Sequence, residues 1–182
     1  EKTYYDRSQG PANATGRNLD VFLEGDGFIS VKKNDKIFYT KAGNLAVDQN
    51  GKLTLADMQT KVLNYDNTEI TIEDPSSLSI NESGQIIQNN EITSQIKIVS
   101  FNNSNSLVKV GNNLFENIGD DNEKPFNGKV VQGLLEQSSV SPVLELTAMI
   151  TAMRVYEANM QMLKSQDDTL ENTVNDVARV IR

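Results

Sequence analysis

The chain contains no His, no Cys and no Trp, and each absence closes off some chemistry. Without His the commonest general base and the commonest metal ligand are missing. Without Cys there is no disulfide framework, thiol nucleophile or thiolate zinc site. Positive charge is scarce as well: 17 Lys and Arg stand against 25 Asp and Glu, a formal charge of −8. Nucleic acid and anionic lipid are gripped by clustered cations, so neither is expected as a partner. Apolar runs are short. None approaches the ~20 residues of a membrane span, and none follows the charged-then-apolar pattern of a cleaved signal peptide. The sequence opens on Glu1 rather than Met, which raises the expectation that an N-terminal segment has been removed. At about 150 residues per domain, 182 residues of which 37% are hydrophobic fit one modest core and an appendage.

What is present falls into three segments. Residues 1–18 are polar, carry Gly10, Pro11 and Gly16 without an apolar period, and read as an extended connecting arm. Residues 19–136 alternate short apolar runs with turn residues, as a compact antiparallel β sandwich or barrel does. Val47 and Leu53 flank Asp48-Gln49-Asn50-Gly51, whose Asn-Gly is expected to supply the two positive φ angles of a tight hairpin turn. All six Phe lie in this segment, so the β core is placed there.

Residues 137–182 differ. No Gly or Pro follows Pro142, and Ser141-Pro142 is a helix start signal. Apolar side chains recur at Leu146, Met149, Met153, Tyr156, Met160, Leu163, Leu170, Val174, Val177 and Ile181, with Asp167 the one polar member, in steps alternating three and four. A strict heptad drifts from the straight-helix period by ~20° per repeat, about 100° over five, so the stripe is a coiled-coil seam that faces another helix. Ten such side chains at ~1.5–3 kcal/mol each are too much apolar surface to leave in water. No second helix of that length is found in residues 1–141. The partner is therefore expected to be the missing N-terminal segment, another copy of the chain, or both. Four of the five Met lie on this helix; they suit partners of differing geometry, and they also suit ordinary core filling.

Other motifs weigh little. Asp48-Gln49-Asn50-Gly51 in a calcium-loop register would need ligands at Ala46 and Asp57, between helices rather than strands. Gly25-Asp26-Gly27 lacks the third glycine and the helix of a dinucleotide loop. Asp120-Asp121 and Asp167-Asp168 could do acid–base work only in a cleft. With 21 Asn and 26 Ser and Thr, the sequons at Asn13, Asn81 and Asn102 match the number arising by chance. No catalytic site, metal or cofactor is expected. Asp167 in the seam reads either as a register-setting polar residue or as a local break. Arg154 and Glu157 flank the seam and read either as polar contacts between subunits or as a solvated i,i+3 pair.

Asp6-Arg7-Ser8-Gln9-Gly10, Thr15-Gly16-Arg17-Asn18-Leu19-Asp20 and Glu24-Gly25-Asp26-Gly27-Phe28 together resemble the start of the body of bacterial flagellar rod and hook proteins. Tyr39-Thr40-Lys41-Ala42-Gly43-Asn44 and Gly111-Asn112-Asn113-Leu114-Phe115 resemble later family blocks. So does Val131-Gln132-Gly133-Leu134-Leu135-Glu136-Gln137-Ser138-Ser139-Val140-Ser141-Pro142-Val143, followed by Glu145, Met149, Ile150, Arg154, Tyr156 and Glu157. The blocks keep the family order over residues 6–168, and the long tail is more similar to the proximal-rod than to the distal-rod member. The resemblance implies a structural axial protein of the basal body, in the rod that crosses the periplasm. Such a protein is exported unfolded through the flagellar type III apparatus and polymerises helically, with copies of itself and other rod and hook proteins, into the drive shaft that carries torque. It also implies that an N-terminal helix, absent from this chain, pairs with the C-terminal one. The alternative is a binding module for saccharide or protein on a coiled-coil stalk, for which Tyr4, Tyr5 and Tyr65 are the aromatic candidates. A carboxylate-based hydrolase stands third.

Overall fold

A computed structural model describes residues 10–102, 106–111, 113–119, 122–137 and 142–180, with helix side chains from 143 to 170. Tyr4, Tyr5, residues 6–9, Asn103, Asn112, Asp120, Asp121, residues 138–141 and Ile181 lie outside the described residues. The chain divides into two compact units, Glu1–Ser139 and Val140–Arg182.

The first unit opens with β1 (Ala12–Ala14), β2 (Val21–Glu24), β3 (Phe28–Lys33), β4 (Lys36–Thr40), β5 (Leu45–Val47), β6 (Leu53–Leu55) and β7 (Lys61–Val62). It continues with β8 (Ser79–Ile80), β9 (Gln85–Gln88), β10 (Glu91–Gln95) and β11 (Ile98–Ser100). β12 (Leu107–Gly111), β13 (Leu114–Asn117), β14 (Lys124–Pro125), β15 (Lys129–Gln132) and β16 (Leu134–Glu136) complete it, and helix α1 spans Pro142–Val180. A nine-stranded sheet runs β12-β13-β4-β3-β7-β6-β5, with β11 added to β3 and β14 to β11. β10-β9-β8, β15-β2 and β1-β16 form smaller sheets. Every described ladder is antiparallel. The molecule is thus mainly β with one long C-terminal helix, as its alternating pattern and final uninterrupted period require.

The main core gathers side chains from consecutive short strands, among them Ile29, Val31, Leu45, Leu53, Val62 and Ile86, all fully buried. A second, aromatic cluster of Phe28, Tyr39, Val99 and Leu107 is flanked by Phe101 and Phe115. Its rings meet edge to face at centroid distances of 4.9 to 6.1 Å, the arrangement the ring quadrupole favours.

Asparagine sets the turns. Asn34-Asp35 (φ 49° and 62°) and Asn89-Asn90 (φ 51° and 65°) are two-residue hairpin loops with both central residues left-handed. They join the pairs Lys33–Lys36 and Gln88–Glu91. Asp48-Gln49-Asn50-Gly51 also makes a hairpin, but of another kind: only Gly51 (φ 74°) has positive φ there. The Asp48 carboxylate accepts the Asn50 and Lys52 N–H groups, each at 2.8 Å. Asn64 and Asn81 do the same for the second and fourth residues after them, with Asn67 (φ 58°) and Gly84 (φ 74°) in the left-handed position. Three hairpins therefore share one device: an Asx side chain holds the loop, and the third residue after it, a Gly or Asn that tolerates positive φ, takes the left-handed conformation. The expected two-residue turn at Asn50-Gly51 gives way because the Asp48 side chain offers the backbone a better-bonded, longer loop.

Met58 is the exception. It holds φ 54° with its side chain 61% exposed, so it carries the left-handed penalty with little burial in return. Met58→Asn should raise the unfolding free energy by about 0.5 kcal/mol in a urea titration. Unchanged or lower stability would show that the turn is not strained.

Candidate assembly surface

Helix α1 begins at Pro142, whose missing N–H is harmless in the first turn, and Glu145 places a negative charge there, where it complements the helix dipole. The hydroxyls of Thr147, Thr151 and Thr169 donate to carbonyls four residues back, at Val143, Thr147 and Ser165. These polar side chains are thereby satisfied within the helix. The seam side chains Leu146, Met149, Met153, Tyr156, Met160, Leu163 and Leu170 are 49% to 66% exposed. Asp167 lies among them, also exposed. The side chains of Val174 and Val177 lie outside the described residues, although the helix runs through both. Arg154 and Glu157 are exposed, and neither forms an ion pair within the described residues.

A second stripe was not read from the sequence. Leu144, Ala148, Thr151, Val155, Ala158, Met162 and Ser165 recur in steps of four and three and include no charged residue. At 100° per residue they centre roughly 150° around the helix from the seam. Between the stripes lie Glu145, Arg154, Glu157, Lys164 and Asp168. Small residues obscured this stripe, because a search for large apolar side chains passes over Ala, Ser and Thr. The same steps of three and four would have disclosed it.

In the first unit, the arm and the last strand are zipped together. Ala12 pairs with Glu136, Asn13 with Leu135 and Ala14 with Leu134. The Gly10 N–H donates to the Glu136 carboxylate at 2.9 Å and the Gln137 N–H to the Pro11 carbonyl at 2.9 Å. At the base of this ribbon the Gly133 carbonyl accepts from the N–H groups of Thr15 (2.8 Å) and Gly16 (3.2 Å), and the Gly133 N–H donates to the Asp20 carbonyl at 2.8 Å.

A partly buried polar network, with Lys97 and Tyr39 buried and Glu123 and Asn67 at the surface, lies beside the aromatic cluster. Lys97 Nζ is 2.7 Å from Glu123 Oε2 and donates to Asn67 Oδ1 at 2.9 Å. The Tyr39 hydroxyl donates to Glu123 Oε1 at 2.7 Å. Burial alone would raise the Glu123 carboxyl, but the bonds from Lys97 and Tyr39 prevail and hold it below its ordinary value. Burial, and then the Glu123 carboxylate, push the Tyr39 phenol well above its ordinary value. The network ties the segment before β14 to the sheet and does no evident chemistry. Tyr65, an aromatic candidate for saccharide binding, donates its hydroxyl to the Ile98 carbonyl at 3.3 Å, so its polar edge is engaged within the fold.

Residues 22–88 match the family described as the flagellar hook protein FlgE/F/G D1 domain, and residues 131–176 match the flagellar basal body rod FlgEFG protein C-terminal family. The chain is 33% identical to the flagellar basal-body rod protein FlgG of Bacillus subtilis (strain 168), over 92% of this chain and 69% of that protein. It is 30% identical to the flagellar basal-body rod protein FlgF of Caulobacter vibrioides, over 95% of this chain and 70% of that protein. Likeness on this scale, extending through both the β unit and the helix, shows that the chain belongs to the flagellar basal-body rod protein family.

Proposed function

We propose that the chain is a structural subunit of the bacterial flagellar rod, polymerising helically with copies of itself and other rod and hook proteins into the shaft that carries torque. The observation that carries this reading is the seam: a helix of 39 residues with a heptad stripe, in a member of the rod family. Such a stripe is covered by other helices in the assembled state. The partner is a helix from the preceding part of the full-length protein, a neighbouring copy, or both. The uncharged stripe on the far side of α1 supports packing on two sides, as in a helix enclosed within a tube wall.

No catalytic role is proposed. Asp167 and Asp168 are exposed on a helix rather than set in a cleft. Among the described residues no helix is long and apolar enough to cross a membrane. Export unfolded through the flagellar type III apparatus fits a chain without Cys, which cannot be trapped by disulfides before threading. The binding-module reading is not favoured, given the family and the engaged hydroxyl of Tyr65. A strain lacking the gene should be non-motile, and its basal bodies, viewed by electron microscopy, should end without a complete rod. Normal swimming and intact rods would overturn the proposal.

A further inference from the structure

We propose that Arg17 and Asp20 form a latch that fixes the direction in which the β1–β16 ribbon leaves the β body. The Asp20 side chain is 1% exposed, and both of its carboxylate oxygens are buried without a hydrogen-bond partner. Buried charges persist only when compensated. Among the described residues the only cation within 4 Å is the Arg17 guanidinium, 3.7 Å away and itself 63% exposed. A surface cation thus compensates a buried anion across a single turn, closed by the Asp20 N–H donating to the Arg17 carbonyl at 3.1 Å.

Asp20 belongs to the body. It bridges Asn44 beside β5, and the neighbouring Asn18 carbonyl accepts from the Gln132 side chain at 2.7 Å. Arg17 belongs to the ribbon's base, next to Gly16. The ribbon crosses the body at Gly16 (φ 69°) and Gly133 (φ 80°), and a Cβ added at either would meet nothing within 4 Å. The space at the crossing is open, and the three residues of β1 are exposed, whereas those of β16 are half-buried, with the strand lying against β2. On the β1 side, the ribbon's hold on the body is the set of hydrogen bonds at Gly133, which a swivel can preserve, and the Arg17–Asp20 pair, which it cannot. Arg17 and Asp20 are positioning residues: they act on the departure of both chain ends rather than on any contact of the β surface. The importance of that direction rests on the rod reading above.

The absence of Cys allows a direct test, because spin labels can be placed on cysteines introduced at Asn13 and Asp66, both exposed. Pulsed electron–electron distance measurements on the unassembled chain should give one narrow distribution. Arg17→Met should at least double its width, Arg17→Lys should keep it narrow, and Arg17→Met with Asp20→Asn should stay broad, since removing the anion relieves its burial penalty without restoring the tie. An unchanged width in Arg17→Met, or a double variant as narrow as the parent, would overturn the latch. Should Arg17→Met alone not fold, the double variant still decides: a broad distribution supports the proposal and a narrow one overturns it. These distances do not depend on assembly. A strain without the gene that still swims would remove the rod reading and leave the latch standing.

Discussion

Leu163→Asp should abolish incorporation into the rod and with it motility, while leaving the β unit folded. Leu163 is 56% exposed in the isolated chain, so a carboxylate there meets water and the monomer loses little. In a helix-to-helix seam the same carboxylate would be buried without a cation, at a penalty of several kcal/mol per subunit. Every subunit of a polymer carries that penalty, so the effect is expected to be all-or-none rather than graded. Gln161→Asp, on the charged face beside the seam, is the control and should assemble normally. The measurements are swimming in soft agar, rod length in isolated basal bodies, and the chemical denaturation curve of the purified chain. Normal rods in Leu163→Asp would sink the seam argument, and a shifted denaturation curve would show that the helix is needed by the β unit.

The second large effect is expected inside the β unit. Lys97→Met keeps the apolar stem but strips Glu123 of its cation and Asn67 Oδ1 of its donor. Breaking a buried pair costs about 3–5 kcal/mol when both partners are fully buried. The Glu123 side chain is 32% exposed, and solvent screening reduces the expected loss to about 2 kcal/mol. The acid dependence gives an independent check. The folded carboxyl lies below its ordinary 4.5, so its contribution is present above that value and is lost as pH falls through the lower, folded value. The stability gap between the parent and Lys97→Met should therefore close as the solution is acidified below pH 4.5. Lys97→Met combined with Glu123→Gln should recover much of the loss, because no uncompensated charge remains. A gap that stays constant into acid would show that Lys97 acts through packing alone.

What could be read in advance followed from distance along the chain. The heptad stripe is a local period, legible because neighbouring turns of one helix repeat it. The Asp48–Gly51 hairpin was legible in place though not in type, because the Asp48 side chain decides the loop and only the structure shows what it accepts. Asn34-Asp35 and Asn89-Asn90 escaped notice because they form left-handed turns without glycine, which asparagine tolerates at modest cost. The ribbon could not be read at all. It joins Gly10 to Glu136, 126 residues away, and the arm has no apolar pattern to declare a strand. The same holds for Lys97, Asn67, Glu123 and Tyr39, whose charges and hydroxyl are dispersed in sequence and meet only after the sheet has formed. Family blocks marked Arg17 and Asp20 as part of a motif, but gave no sign that one is buried and the other exposed.

The ribbon also determines how the β unit meets mechanical force. Its strands are antiparallel, so the chain comes in at Gly10 and goes out at Gln137 on the same end. A pull that separates those two points meets the inter-strand bonds one after another, beginning with Gly10 to Glu136, and opens them like a zip. A pull that moves both points together loads none of those bonds and passes to the body as a whole. The unit is therefore weak against splaying and strong against being carried along. In a turning shaft, such a unit endures only while the segments beyond its two ends move as one piece.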